Sequence, residues 1–268
     1  MHSLIDTKMV ETIRTLGHTF ENLPDRIETM KSMNLQFDRP AENVVIMGCQ
    51  NLKVVPTAVE SFARILERGG VDYTFLSKEY CCGNYLYRPA IKAKDETAME
   101  ECRALSKEFV TNNIEQAKKL DANRIILFCS PCYPIYKFAF PEENIVYFPD
   151  AITEAVGSLE YNQIIDYYAG CYKLHQRFAP VPVDLKSTNR VFDKITGLSV
   201  NRISAPSCCF RPDGLAHMLD HVKTETLVHI CTGCYSQAVA NMPEERQVKI
   251  LMLSEFIDMI QKASLTSN

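Results

Sequence analysis

The sequence contains no run of about 18 apolar residues, so none of its helices is expected to span a bilayer. Basic charge is not in excess either. Twenty-nine Lys and Arg stand against 33 Asp and Glu, the net charge is −4 and the pI is near 5.9. A nucleic-acid binder needs a basic stripe, so that class is excluded. The opening residues Met1-His2-Ser3-Leu4-Ile5-Asp6 lack the basic and apolar regions of a secretory signal, and a cytoplasmic location is expected. Tryptophan is missing too, which excludes nothing. In bulk the remaining composition is ordinary. Hydrophobic residues make up 46% and charged residues 23%, enough to build a sizeable core from 268 residues.

Cysteine is the exception, with eleven copies. In a reducing compartment such a set points to metal or redox chemistry rather than structural disulfides. The cysteines fall in a repeated order. Cys49 is followed after 31 residues by Cys81-Cys82, and 46 residues later by Cys129-x-x-Cys132. Cys171 is followed after 36 residues by Cys208-Cys209, and 21 residues later by Cys231-x-x-Cys234. Only Cys102 stands outside the two sets.

The flanking sequence repeats as well. Val44 to Cys49 and Ile165 to Cys171 both read as an apolar strand ending in Gly-Cys. Ile125 to Cys129 matches Leu227 to Cys231, and each C-x-x-C is followed by a tyrosine, Tyr133 or Tyr235. Beyond these, 144–156 and 248–257 each read as a strand leading into a helix. This much agreement marks an internal duplication.

Between the motifs, Val55 to Arg68 predicts an amphipathic helix with Val59, Phe62, Ala63 and Leu66 on one stripe, stopped by Gly69-Gly70. Thr97 to Leu120 predicts a long helix that buries Met99, Cys102, Leu105 and Phe109. Alternating short strands and helices give an α/β fold class: two pseudo-symmetric βαβ-type halves, 43–160 and 161–268. In front of them, 1–42 reads as a short helical extension, with helices over Met9 to Leu16 and Pro24 to Met33. It is expected to act as a packing or docking arm. In such folds, groups that do chemistry collect where strand C-termini meet helix N-termini, which is where the Gly-Cys and C-x-x-C motifs fall. Helix N-termini behind Cys49, Cys132, Cys171 and Cys234 would favour thiolates.

Thiolates bind soft metals, so zinc and iron–sulfur clusters are the serious candidates. Structural zinc asks for four ligands, typically as two C-x-x-C-like pairs. Each half here offers five cysteines and one C-x-x-C. Adjacent cysteines suit a multi-iron cluster better than one small ion, since neighbouring side chains at a turn can reach different metal atoms. A thioredoxin-like dithiol is the third reading, and it has no use for three further cysteines per half.

The order Cys, Cys-Cys-Gly, Cys-x-x-Cys resembles the cysteine-rich CCG domain found in the disulfide-reducing subunit of heterodisulfide reductase and in related redox subunits, over about residues 43–260. The resemblance implies tandem CCG domains that hold two non-cubane [4Fe–4S] clusters. Cys49, Cys81, Cys82, Cys129 and Cys132 would bind one, and Cys171, Cys208, Cys209, Cys231 and Cys234 the other. It also implies an oxidoreductase subunit acting on a disulfide or related thiol-derived substrate. The alternatives are pure electron transfer between a flavoprotein and a quinone or carrier, and a zinc-binding scaffold. A ferredoxin-type C-x-x-C-x-x-C-x-x-x-C-P run is missing from the sequence. Electrons are therefore expected from a ferredoxin-type iron–sulfur subunit and a flavoprotein partner. The sequence departs from the pattern in the 46- and 21-residue spacings and in Cys208-Cys209-Phe210, where phenylalanine stands in glycine's place.

Outside the cysteines the site candidates are few. Arg88 and Arg211 each follow a Cys-Cys pair and would offset cluster charge or hold an anionic substrate. His175 would donate a proton to a released thiolate, as its ordinary pKa allows. His217, His221 and His229 read as structural, Tyr133 and Tyr235 as packing beside the clusters, and Cys102 as a buried small hydrophobe.

Overall fold

The computed structural model describes all residues except 21, 172–178 and 267–268. The N-terminal extension forms α1 (Thr7–Leu16) and α2 (Arg26–Ser32). The first half runs β1 (Asn43–Ile46), α3 (Asn51–Val54), α4 (Pro56–Arg68), β2 (Tyr73–Phe75), α5 (Tyr87–Ala93), α6 (Glu96–Lys119), β3 (Arg124–Leu127), α7 (Cys132–Ala139), β4 (Ile145–Tyr147) and α8 (Phe148–Ala155). The second runs β5 (Leu159–Glu160), β6 (Ile164–Tyr168), α9 (Leu185–Asp193), β7 (Ile195–Thr196), β8 (Ser199–Ile203), α10 (Pro212–Asp220), β9 (Thr226–His229), α11 (Thr232–Asn241), β10 (Lys249–Met252) and α12 (Leu253–Thr266).

Two four-stranded parallel sheets result, ordered β2-β1-β3-β4 and β8-β6-β9-β10, so the halves share one topology. The register repeats too. Val44 pairs with Ile125 and Ile46 with Leu127, as Asp166 pairs with Leu227 and Tyr168 with His229. The expected α/β class with two similar halves stands. The edge strands β2 and β8 and the two-stranded β5–β7 ladder were not legible in the sequence, being short and without a clear apolar alternation.

The helices form for local reasons. Asp6, Asp25, Asp95 and Asp184 cap α1, α2, α6 and α9 by accepting backbone N–H bonds from Met9, Glu28, Ala98 and Ser187. The predicted stripes are buried: Val59, Phe62, Ala63 and Leu66 on α4, and Met99, Cys102, Leu105 and Phe109 on α6. Burying side chains of this size stabilises by about 1.5–3 kcal/mol each.

The chain forms two compact units. Unit 1 comprises Met1–Lys53, Asp72–Phe148 and Lys173–Val183; unit 2 comprises Val54–Val71, Pro149–Tyr172 and Asp184–Asn268. The compact units do not follow the expected boundary at 160 and 161, since Val54–Val71 belongs to unit 2. Within unit 2, α4 packs on α12. Its Arg64 and Arg68 meet the buried Asp258, and the Ala58 carbonyl accepts from Ser254 at 2.7 Å. Each unit contains one complete cysteine set.

Candidate metal centres

In unit 1 the cysteines converge at the C-terminal ends of β1 and β3. Gly48 has φ +94°, and a Cβ there would sit 2.7 Å from Cys129 Cβ. Only glycine takes that turn and lets the Cys49 loop close on Cys129. Cys81 and Cys82 follow β2 and precede Gly83, which takes φ +73° as the Cys-Cys-Gly motif requires. Cys132 opens α7. The Cys49 and Cys81 sulfurs are 3.3 Å apart, as are those of Cys132 and Cys82. All five belong to, or pack on, one buried apolar cluster.

A brace missed by sequence reasoning holds this loop. Glu79 is buried and accepts from the Met47 and Gly48 N–H groups at 2.7 Å each, while Arg26 of α2 pairs with it at 2.5 Å. Burial raises its carboxyl pKa, although Arg26 and the two N–H groups pull the other way. Thr19, from the extension, sets its hydroxyl 3.9 Å from Cys49 Sγ and 4.0 Å from Cys81 Sγ. The arm is therefore part of the site's wall. Glu79, two residues before the Cys-Cys pair, was the one signal that could have been read.

Unit 2 repeats the arrangement. Gly170 has φ +100° before Cys171, Cys231 caps α11, and Cys234 lies within that helix's first turn. The Cys209 and Cys234 sulfurs are 3.4 Å apart. Phe210 does not adopt the left-handed conformation of Gly83, and its ring packs on Gly233. Beneath the cysteines lie Tyr168 and His229, both fully buried. Burial pushes His229 down to about 3, against a smaller upward pull from the Tyr168 backbone, so the ring is neutral.

The thiols interact strongly. Contact with Cys81, then burial, pushes Cys49 well up, and Cys129, Cys82 and burial do the same to Cys132. Cys82 runs the other way, held down to about 6 by Cys132 and Cys81. In unit 2 Cys208 and burial raise Cys171, Cys208 lifts Cys209 to about 12, and Cys234 brings Cys231 down to about 7. Neighbouring buried charges of one sign repel, which opposes ionising several of these thiols at once. Metal binding requires the thiolate form. Five thiols in contact fit a cationic, multi-metal group that offsets several negative charges at once. Among the described residues, no three His, Cys, Asp or Glu side chains are set around one point as ligands of a single ion; the short sulfur contacts are pairwise.

The other candidates are scattered. Arg88 is exposed and stacks over the Tyr85 ring at 4.5 Å, and Arg211 is exposed and pairs with Asp213 at 3.4 Å. His175 lies outside the described residues. His217 and His221 stack on one another at the surface, 4.0 Å between ring centroids. Tyr133 packs beside Tyr147 at 5.5 Å, and Tyr235 lies 6.4 Å from His229, ring to ring. Cys102 is buried in the unit 1 core, where desolvation lifts it to about 11. Within unit 1 a cavity of about 530 Å³ reaches Cys49 and is lined among others by His18, Arg26, Lys53, Lys78 and Glu79. Among the described residues, no helix is long and apolar enough to cross a membrane.

A crystal structure of an aspartate racemase homologue from Pyrococcus horikoshii OT3 is similar at 12% identity, covering 85% of this chain and 100% of that one with a TM-score of 0.33; so low a likeness carries no argument. No curated protein matches the chain. One family does: residues 44–134, the stretch that carries all five cysteines of the first set, match the model of CCG, a cysteine-rich domain.

Proposed function

We propose that the chain is an iron–sulfur redox subunit that holds two [4Fe–4S] clusters of non-cubane type, one in each cysteine set. The observation that carries this reading is the duplication of a five-thiol pocket. The same strand ends, in the same register, bring together Cys49, Cys81, Cys82, Cys129 and Cys132 in unit 1. They bring together Cys171, Cys208, Cys209, Cys231 and Cys234 in unit 2. The resemblance to the disulfide-reducing subunit of heterodisulfide reductase makes a disulfide or related thiol-derived group the substrate, with electrons supplied by a ferredoxin-type iron–sulfur subunit and a flavoprotein.

When bound, the clusters would supply one-electron redox steps and open iron sites for sulfur. The chain's own residues shape access to them. The cavity at Cys49 favours substrate entry over a closed electron relay in unit 1. Lys53 and Lys78 on its wall are exposed cations that suit an anionic substrate. Glu79 holds the Gly48-Cys49 turn in place, and the Thr19 hydroxyl is positioned to donate to the Cys49 or Cys81 sulfur.

Iron and acid-labile sulfide content of anaerobically purified protein, with visible and EPR spectra of the same sample, tests the reading. About eight iron and eight sulfide per chain are expected. A colourless protein with zinc and no sulfide would overturn it.

A further inference from the structure

The shared register of the two sheets supplies an internal control. It sets Ile46 beside Leu127 in unit 1 and Tyr168 beside His229 in unit 2. In both units these residues end the two central strands, one or two positions before the cysteine-bearing turns. All four side chains are buried, with exposures of 1% or less. The same two places are hydrocarbon in one half and a phenol with an imidazole in the other.

The polar pair is not explained by packing. Among the described residues, the Tyr168 hydroxyl and the ring nitrogens of His229 have no well-formed hydrogen bond beyond the pull of the Tyr168 backbone on the ring. The two rings meet edge to face, 5.9 Å between centroids. Tyr168 belongs to the same buried cluster as Cys209 and Cys234, with Cys231 packed against it. Its hydroxyl is also raised by burial and then by Cys234, Cys209, Cys171 and Cys208, four thiols of the second set. A buried polar group without a partner costs about 1–3 kcal/mol. Aliphatic side chains avoid that cost, as unit 1 does with Ile46 and Leu127. Buried polar groups left unpaired call for a ligand or another functional reason.

We infer that Tyr168 and His229 form a hydrogen-bonding socket for a sulfur atom of the group held by the second cysteine set, an inference that rests on the cluster reading above. A phenol donates one O–H and a neutral imidazole one N–H. Thiolate and sulfide sulfur are acceptors that carry more negative charge after reduction. Donors aimed at them stabilise the reduced form and raise its potential. Unit 1 offers two hydrocarbon side chains at the matching positions, so Tyr168 and His229 raise the potential of the second centre above the value it would have with an aliphatic pair there.

Redox titration of the loaded protein, followed by EPR, tests this with Tyr168→Phe, His229→Leu and the double variant Y168I/H229L, which restores the pair found in unit 1. One of the two midpoint potentials is expected to fall in each variant while the other stays. Thermal unfolding of the metal-free proteins is the companion measurement. Tyr168→Phe is expected to leave the metal-free Tm unchanged or higher, because the hydroxyl has no hydrogen-bond partner among the described residues. Loaded variants with both potentials unmoved would overturn the inference alone. A clearly lowered metal-free Tm for Tyr168→Phe would show a structural hydroxyl and overturn it too. A preparation that takes up no iron overturns the cluster reading, and the inference with it, and is recognised beforehand by its iron content.

Discussion

Units 1 and 2 present the same cysteine skeleton inside different walls. In unit 1 the Gly48-Cys49 turn is tied to Glu79, Glu79 is tied to Arg26, and Thr19 touches two of the sulfurs. In unit 2 the position matching Glu79 is Pro206, which has no side-chain acceptor. Cys-Cys-Gly becomes Cys-Cys-Phe, and the aliphatic pair at the strand ends becomes Tyr168 and His229. The shared part is what ligation requires: strand ends, tight turns and five thiols. The parts that differ control access, hydrogen bonding and rigidity. Duplication has kept the cysteine skeleton and changed its surroundings.

The strongest way to break the comparison is to empty one set at a time. Cys82→Ser with Cys132→Ser, and separately Cys209→Ser with Cys234→Ser, are each expected to lower iron from about eight to about four per chain. Complete loss of iron from either pair would show that the sets do not load independently. The brace comes next. Glu79→Gln leaves the Arg26 guanidinium without its anion in a buried place, and a loss of about 3 kcal/mol is expected. A urea titration of the metal-free protein reads it. A midpoint close to that of the unaltered protein would show that the brace is not needed for folding.

The glycine turns should behave alike in the two units. Gly48→Ala forces a left-handed turn on alanine and drives its Cβ into Cys129, and Gly170→Ala imposes the same turn at φ +100°. Each is expected to destabilise by about 1–3 kcal/mol. A loss at Gly48 alone would confine the close approach to the first site. The smallest effect concerns unit 2 under acid. Burial pushes the Asp258 carboxyl up, yet Arg64, Lys262 and Arg68 outweigh it and bring it down to about 2 from an ordinary 3.8. Its folded-state pKa is depressed, so the stability it contributes is present above about pH 4 and is lost as pH falls through about 2. Asp258→Asn is expected to flatten that part of the curve by roughly 1 kcal/mol. Unfolding midpoints of the metal-free protein across this range would show it, and identical acid curves would assign the sensitivity to another group.

Much of this molecule was written in local sequence. Periodicity at Val59, Phe62, Ala63 and Leu66 and at Met99, Cys102, Leu105 and Phe109 reports a helix face directly, because one side of a helix must leave water. Gly-Cys after an apolar run marks a strand end followed by a turn of positive φ, a requirement glycine meets without strain. Spacing alone therefore brought out both cysteine sets, the duplication and the α/β class. Tertiary structure decided the rest, because it depends on residues distant in the chain. The edge strands Tyr73–Phe75 and Ser199–Ile203 are fixed by pairing with β1 and β6 rather than by their own patterns. Thr19 and Arg26 become site residues only when the extension folds onto the loop that carries Glu79. The exchange of Val54–Val71 into unit 2 rests on α4 finding α12, about 190 residues away, with Arg64 and Arg68 on Asp258. In the sequence Tyr168 and His229 are a strand tyrosine and a stray histidine. Strand register makes them neighbours, buried beside the second cysteine set.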